Sequence, residues 1–390
     1  MHCLPGLLGH IPEEVNCLAK DVELNLVFEV VSNSWPGNML DLPLPPFDCG
    51  FYEGRDFLRR SLPDKAWEYF QKAHGIYFAM YGSGLGKGLF QGIYHTVRGI
   101  RKLKPHVLHL DGESLRAALW APLIKSKLVI NVHEPVLHAG SGSFSLTTAK
   151  KMLINRADHL VVHSEEARKI LVANFSIDDS HISCAPMGPE DVITAWSGKQ
   201  ERQEVGQASV VFFGWLSPRK GIDVMLKAVP EVARMIPGVK FIIAGQPGRG
   251  YQLPAEVENL KNAGVLEVIP RHLTNPELAN LMAKASVVLL PYREARQSAV
   301  VLTAYAFRKP VITSDLPGLR EQVWHDKTGL LFREGDSNDL TEKLVYFLSH
   351  KELLRQYESN ILNMTNTTLN WRRFREVALS AYSRLCVERA

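Results

Sequence analysis

Val210-Val211-Phe212-Phe213-Gly214 is a short apolar run closed by glycine; the turn Ser217-Pro218-Arg219-Lys220-Gly221 and the helical pattern Ile222 to Met235 follow it. An uninterrupted apolar run of this length, handed on to an amphipathic helix, marks a strand covered on both faces of a parallel sheet. The unit recurs downstream. Val239 to Ala244 ends at Gly245, and Val265 to Ile269 precedes the helix signal Asn275-Pro276-Glu277-Leu278. Ser286 to Leu290 is closed by Pro291, a helix runs from about Ser298 to Phe307, and Pro310 to Thr313 is a further strand. Short strands alternating with helices imply an α/β class and a doubly wound, Rossmann-like lobe.

Upstream the rhythm is looser. Glu23 to Val31, Val107 to Leu110, Leu128 to Val132 and Leu160 to Val162 read as strands with helices between them. Gly6-Leu7-Leu8-Gly9 leads straight into the helical stretch Ile11 to Lys20, so the first strand is either very short or upstream of the chain. Residues 32–63, rich in Pro, Gly and aromatics, read as one long loop. Polar Ser197 to Gln207 reads as a linker, and Trp371 to Leu385 as one amphipathic helix.

The 390 residues are 46% hydrophobic and 22% charged, the balance of a globular chain and not of a disordered one. Lys and Arg total 45 against 41 acids, a net +4 that argues against a dedicated nucleic-acid binder. No run approaches membrane-spanning length, and Met1-His2-Cys3-Leu4-Pro5 lacks the basic start of a signal peptide. Cys3, Cys17, Cys49, Cys184 and Cys386 are scattered and form no CxxC pair, so a zinc cluster or disulfide framework is not expected. A cytoplasmic location is the expectation. The helix Leu89 to Leu103 adds the inner face of a membrane as a second address: it carries Arg98, Arg101 and Lys102, with Lys104 just after, beside Phe90, Ile93 and Val97, and no acid. A merely solvated face is the competing reading of that helix.

Two tempting motifs fail on spacing. Gly82-Ser83-Gly84-Leu85-Gly86-Lys87-Gly88 has no glycine five residues before Gly86 and no hydroxyl residue after Lys87, as a phosphate-binding P-loop requires. His133-Glu134 and His138 are one residue too far apart for a zinc-protease helix, and Pro135 breaks the helix. No metal site is expected. His133 nevertheless follows the strand Leu128 to Val132, where open α/β sheets place ligand groups. Arg219 and Lys220 lie between a strand and a helix start, an arrangement suited to a diphosphate because side-chain charge and helix dipole add. A second strand end, Pro291-Tyr292-Arg293-Glu294-Ala295-Arg296-Gln297-Ser298-Ala299, places backbone N–H groups at Gln297, Ser298 and Ala299 for an anion, with Glu294 beside them.

These segments, with Ala304-Tyr305-Ala306-Phe307-Arg308-Lys309-Pro310 and Pro317-Gly318-Leu319-Arg320-Glu321, resemble the C-terminal lobe of family-4 glycosyltransferases from about residue 208 to 350. Val132-His133-Glu134 and His159-Leu160-Val161-Val162-His163-Ser164 carry the resemblance more weakly into the N-terminal half. The resemblance implies a GT-B fold: two Rossmann-like lobes facing a cleft that holds the ligand, with a C-terminal helix returning to the first. The expected division is 1–196 for the N-terminal lobe, 197–207 for the linker, 208–366 for the C-terminal lobe and 367–390 for the returning helix. It also implies transfer of a sugar, with retention, from a UDP- or GDP-sugar to a glycan, lipid-linked or small-molecule acceptor, without metal or cofactor.

The resemblance puts Lys220 on the donor diphosphate, where Arg219 stands in for a family arginine replaced here by Trp215. Gly214, Gln297, Ser298, Ala299 and Thr303 complete the donor side; Thr303 occupies the place of a second signature glutamate. Glu294 takes the first glutamate's role on the transferred sugar, His133 matches a histidine near the sugar's reactive end, and Gly9 and His10 fall on the acceptor side. Thr303, Trp215 and the meagre first strand also fit a non-catalytic GT-B subunit that supports a partner transferase. An epimerase on the same fold has no specific support.

Overall fold

The computed structural model describes residues 1–4, 9–31, 38, 40–82, 86–136, 144–197 and 208–387. The glycine turn Gly6-Leu7-Leu8, residues 83–85 of the glycine-rich segment, His138 and most of the expected linker lie outside the described residues. The chain divides into two compact units, Met1–Met187 with Trp371–Ala390, and Gly188–Asn370.

In the first unit the described residues form an eight-stranded sheet. Its strands are β1 (His2–Cys3), β2 (Asn25–Val31), β3 (Gly50–Glu53), β4 (Gly75–Tyr81), β5 (Val107–Asp111), β6 (Lys127–Asn131), β7 (His159–Val162) and β8 (Ile182–Cys184). They are ordered β3-β4-β2-β1-β5-β6-β7-β8, and every pair is parallel except β3 with β4. The first strand is indeed very short. Two residues suffice because β1 is central: His2 lies opposite both Val27 and Leu110, so longer neighbours supply the sheet around it.

Residues 32–63 are not one loop. They contain β3 and the helix Arg55–Ser61. The aromatic residues that give this stretch a loop-like composition are packing groups: Phe47 stacks on Tyr52 at 4.8 Å, and Phe57 meets Phe78 of β4 edge-on at 5.5 Å.

The second unit holds β9 (Ser209–Phe213), β10 (Lys240–Ala244), β11 (Leu266–Ile269), β12 (Val287–Leu290), β13 (Val311–Ser314) and β14 (Gly329–Phe332). All pairs are parallel in the order β11-β10-β9-β12-β13-β14, the doubly wound arrangement, and the order reverses between β9 and β12. The helix after β9 spans Ile222–Met235 and buries Ile222, Val224, Met225, Leu226, Ala228, Val229 and Val232. Thr274 and Glu277 form a capping box at the start of Asn275–Lys284.

Both expected domain limits move. Residues 188–196 belong with the second unit, because the 3₁₀ turn Asp191–Trp196 buries Val192 and Ile193 against the helices Asn275–Lys284 and Ala299–Ala306. The second unit runs on to Asn370. The helix Trp371–Val387 then packs on Ile11–Leu18 and β5 of the first unit through Phe374, Ala378, Ala381 and Leu385. No helix among the described residues is long and apolar enough to cross a membrane.

At the switch point of the second unit the turns after β9 and β12 touch through Gly221. Its φ of +63° is left-handed, and a Cβ there would lie 1.8 Å from the Pro291 carbonyl oxygen. Gly221→Ala is expected to destabilise the protein by about 2–4 kcal/mol, from the backbone penalty plus the overlap. Urea unfolding checks this; an unchanged midpoint would contradict it.

Candidate functional site

In the second unit the two strand ends beside the switch point carry the chemistry. Pro218–Lys220 is a 3₁₀ turn ended by Gly221, and Ile222 opens the long helix immediately after it. Lys220 Nζ sits 3.6 Å from the centre of the Tyr292 ring, so the strand end after β12 orients the cation of the strand end after β9. The Arg293 N–H donates to the Arg219 carbonyl at 2.9 Å, a second tie between them. Two hydroxyl oxygens here, Ser217 Oγ and Tyr292 Oη, are shielded from solvent and have no hydrogen-bond partner. An open pocket of about 580 Å³ adjoins the turn, lined by Arg219, Asp223, Tyr251, Gln252, Arg293 and Glu294. Arg293 pairs with Asp223 at 2.6 Å, and Arg296 lies 3.7 Å from Glu294. Trp215 is 55% exposed, and Gly214 follows β9 at φ +120°.

Two expected donor-side groups are otherwise engaged. The Ser298 N–H donates to Gln322 Oε1 at 2.7 Å, and the Gln322 amide returns a bond to the Ser298 carbonyl, so this amide caps the helix Ala299–Ala306 from within the protein. Gln297 is half-buried and Ala299 is exposed, at the same helix start. Thr303 is buried, and its hydroxyl donates to the carboxylate of Glu190 and lies within 3.1 Å of the Ala299 carbonyl. The helix that lacks a glutamate at 303 thus meets one from residue 190, 113 positions away. No local pattern announces that pairing.

In the first unit, strand ends converge on a buried carboxylate. Asp111 closes β5; His133 follows β6, His163 follows β7, and His10, after Gly9, caps the helix Ile11–Leu18. His10 Nε2 donates to Asp111 Oδ2 at 3.1 Å, and His133 Nε2 to Asp111 Oδ1 at 2.8 Å. Burial pushes the Asp111 carboxyl up, but the charges and hydrogen bonds of the two histidines outweigh it and hold the group well below the usual carboxylate range. Glu14 shifts the other way: burial, then the neighbouring Asp111 charge, push it well above its ordinary value. His163 is driven down to about 3 by burial and then by His133, whose ring lies 4.9 Å away. Its Nδ1–H donates to the Ala185 carbonyl, and its Nε2 has no hydrogen-bond partner. The donor atoms of His10, Asp111 and His133 lie within 4.8 Å of one another, close enough for a cation, yet each Asp111 oxygen is already occupied by a histidine N–H.

Sequence reading singled out His133, Lys220 and Glu294 but not Asp111, Tyr292, Glu190 or Gln322. Asp111 is the one with a usable signal, an acid at the end of an apolar strand in a parallel sheet.

Residues 207–350 match the family described as "Glycosyl transferases group 1". A D-inositol 3-phosphate glycosyltransferase of Nocardia farcinica is 30% identical over 219 residues, 53% of this chain and 48% of that protein. The chain spans about half the length of the curated relatives it matches. A glycosyltransferase structure from Rickettsia africae aligns with a TM-score of 0.69 at 12% identity, covering 98% of this chain and 97% of the other. HepE of Anabaena, solved with UDP and glucose, aligns at 0.69 and 15% identity, covering 98% of each chain. The fold is GT-B.

Thr303→Glu would return a carboxylate to the place of the second signature glutamate, but it sets that carboxylate against buried Glu190. A loss of at least about 2 kcal/mol in stability is expected from the buried like charge. A thermal melt at or above the wild-type midpoint would show that the site accepts a carboxylate at 303.

Proposed function

We propose that the protein is a retaining glycosyltransferase that takes a sugar from a UDP- or GDP-sugar and passes it to a glycan, lipid-linked or small-molecule acceptor. The observation that carries this reading is the cationic turn Arg219-Lys220 at the switch point, followed at once by the start of the helix Ile222–Met235. Cleaving a glycosyl–phosphate bond builds negative charge on the departing diphosphate. Fixed cations and a helix start aimed at that charge stabilise the transition state without reorganising. The stacking of Lys220 on Tyr292 supports the assignment, because it orients the ammonium before any ligand arrives. Ser217 Oγ, buried and unpartnered beside the turn, is a further diphosphate contact on this reading. The family match of residues 207–350 and the UDP in the HepE structure support the donor class.

Glu294 and His133 are assigned to the transferred sugar. Retention follows if the leaving phosphate itself accepts the acceptor's proton, while the protein positions and stabilises. Thr303 is no longer a donor contact in this account, since its hydroxyl serves Glu190.

A membrane surface is the proposed partner of the helix Lys87–Leu103. Its inner face buries Leu89, Val97 and Ile100, while Phe90 and Tyr94, one turn apart, are 69% and 58% exposed. Lys87, Arg98, Arg101 and Lys102 share the helix, its first turn has no acid, and Arg101 reaches the carbonyl of Leu123, itself exposed. Each such cation near an anionic surface contributes about 1 kcal/mol, and inserted aromatics add to it.

Lys220→Ala is expected to weaken UDP binding by roughly ten- to a hundredfold, the value of one charge-assisted contact, in calorimetric titration. His133→Ala and Glu294→Gln are expected to leave that affinity nearly intact and to slow single-turnover transfer by about a hundred- to a thousandfold. Full activity in both would remove the assignment, and an inactive wild type across UDP-, GDP- and ADP-sugars would favour the non-catalytic reading. For the helix, flotation with anionic vesicles at low salt is expected for wild type and not for a Phe90→Ser/Tyr94→Ser variant. Equal flotation of both, or equal binding to neutral vesicles, would contradict it.

A further inference from the structure

We propose that a buried hydrogen-bond relay, running from Tyr382 on the C-terminal helix through His109 and Asn131 to Asp111, sets the orientation and tautomer of His133. Asp111, Asn131, His109 and Tyr382 are then positioning residues. The consequence for turnover rests on the proposed role of His133; the relay itself does not.

The bonds admit one direction. Asn131 Nδ2 donates to Asp111 Oδ1 at 3.0 Å and lies 3.3 and 3.4 Å from the carboxyl oxygens of Glu14. Its Oδ1 is therefore the acceptor for His109 Nε2, at 2.8 Å. An imidazole with its proton on Nε2 has only a lone pair on Nδ1, and that nitrogen meets the Tyr382 hydroxyl. Burial drives His109 down to about 4, so the ring is neutral and carries one proton. Burial raises Tyr382 well above the ordinary phenol value, so its hydroxyl stays a donor. Each N–H or O–H in the series thus points toward Asp111, and aligned bonds in a buried setting reinforce one another.

Asp111, fully buried, is the terminus. It takes Asn131 and His133 on Oδ1 and His10 on Oδ2. Accepting from His133 Nε2 keeps a proton on that nitrogen, so in the neutral ring the bare nitrogen is Nδ1. Tyr382 is held by the packing of its own helix, whose Phe374, Ala378, Ala381 and Leu385 are buried. Without the Tyr382 hydroxyl, His109 Nδ1 is a buried acceptor with nothing to accept. The ring then loses the bond that fixes its orientation, and Asn131 loses a fixed donor. Asn131 is in turn free to reverse its amide and withdraw from Asp111.

The test is ¹⁵N NMR of histidine-labelled full-length protein, with His133 assigned by its absence in His133→Ala, read beside kcat and KM. In its neutral form wild-type His133 is expected to give the Nε2–H pattern. Tyr382→Phe and Asp111→Asn are expected to give mixed tautomers there, and Tyr382→Phe to lower kcat by roughly ten- to a hundredfold with donor KM unchanged. Arg375→Ala removes another contact of the same helix, the 2.6 Å bond to Asp21, and is expected to leave the His133 signals as in wild type. An unchanged His133 pattern in folded Tyr382→Phe would overturn the relay. So would one equivalent of divalent metal retained by wild type and lost in Asp111→Asn, because a metal-bound Nε2 carries no proton. If no transfer is detected at all, the spectra still decide the relay, and the functional reading fails on its own.

Discussion

The contact between Gly221 and the Pro291 carbonyl is the constraint on which the second unit's chemistry depends. Strands β9 and β12 are neighbours, yet the chain between them passes through β10 and β11, so their ends must be brought together by tertiary packing. A residue without a side chain lets the two turns touch. Once they touch, Tyr292 lies under Lys220 and the Arg293 amide binds the Arg219 carbonyl. The cations are fixed by the fold and not by a ligand, which is what preorganised electrostatic stabilisation requires.

The first unit solves a different problem with the same topology. Its strand ends gather Asp111, Glu14, His10, His133 and His163 where little water enters. Leaving several charges there would cost more than folding returns. The environment separates them: one carboxylate is held ionised by histidines, while its neighbour is pushed toward the neutral form. Asn131 mediates, binding both acids and receiving from His109.

Sequence reading recovers what is written locally. The helix Ile222–Met235 is bounded as its apolar period and flanking glycine predict, because its burial follows from its own spacing. Two-residue β1 is below the length at which a periodicity exists, and only its central place in the sheet makes it a strand. The β3 segment is hidden because its Phe51 stacks on Tyr77 of β4, a contact absent from any window of sequence. The site divides along the same line. Lys220 and Glu294 sit in local strand-turn-helix signals, whereas the use of the Ser298 amide by Gln322 and of Thr303 by Glu190 depends on partners 24 and 113 residues away.

Covalent capture of the donor tests the central claim most directly. A photoactivatable nucleotide sugar is irradiated with the full-length protein, and the labelled peptides are mapped by mass spectrometry. The account predicts labelling of peptides covering 214–221 or 292–304, competed away by UDP. Labelling confined to the glycine-rich segment near Lys87 would contradict it.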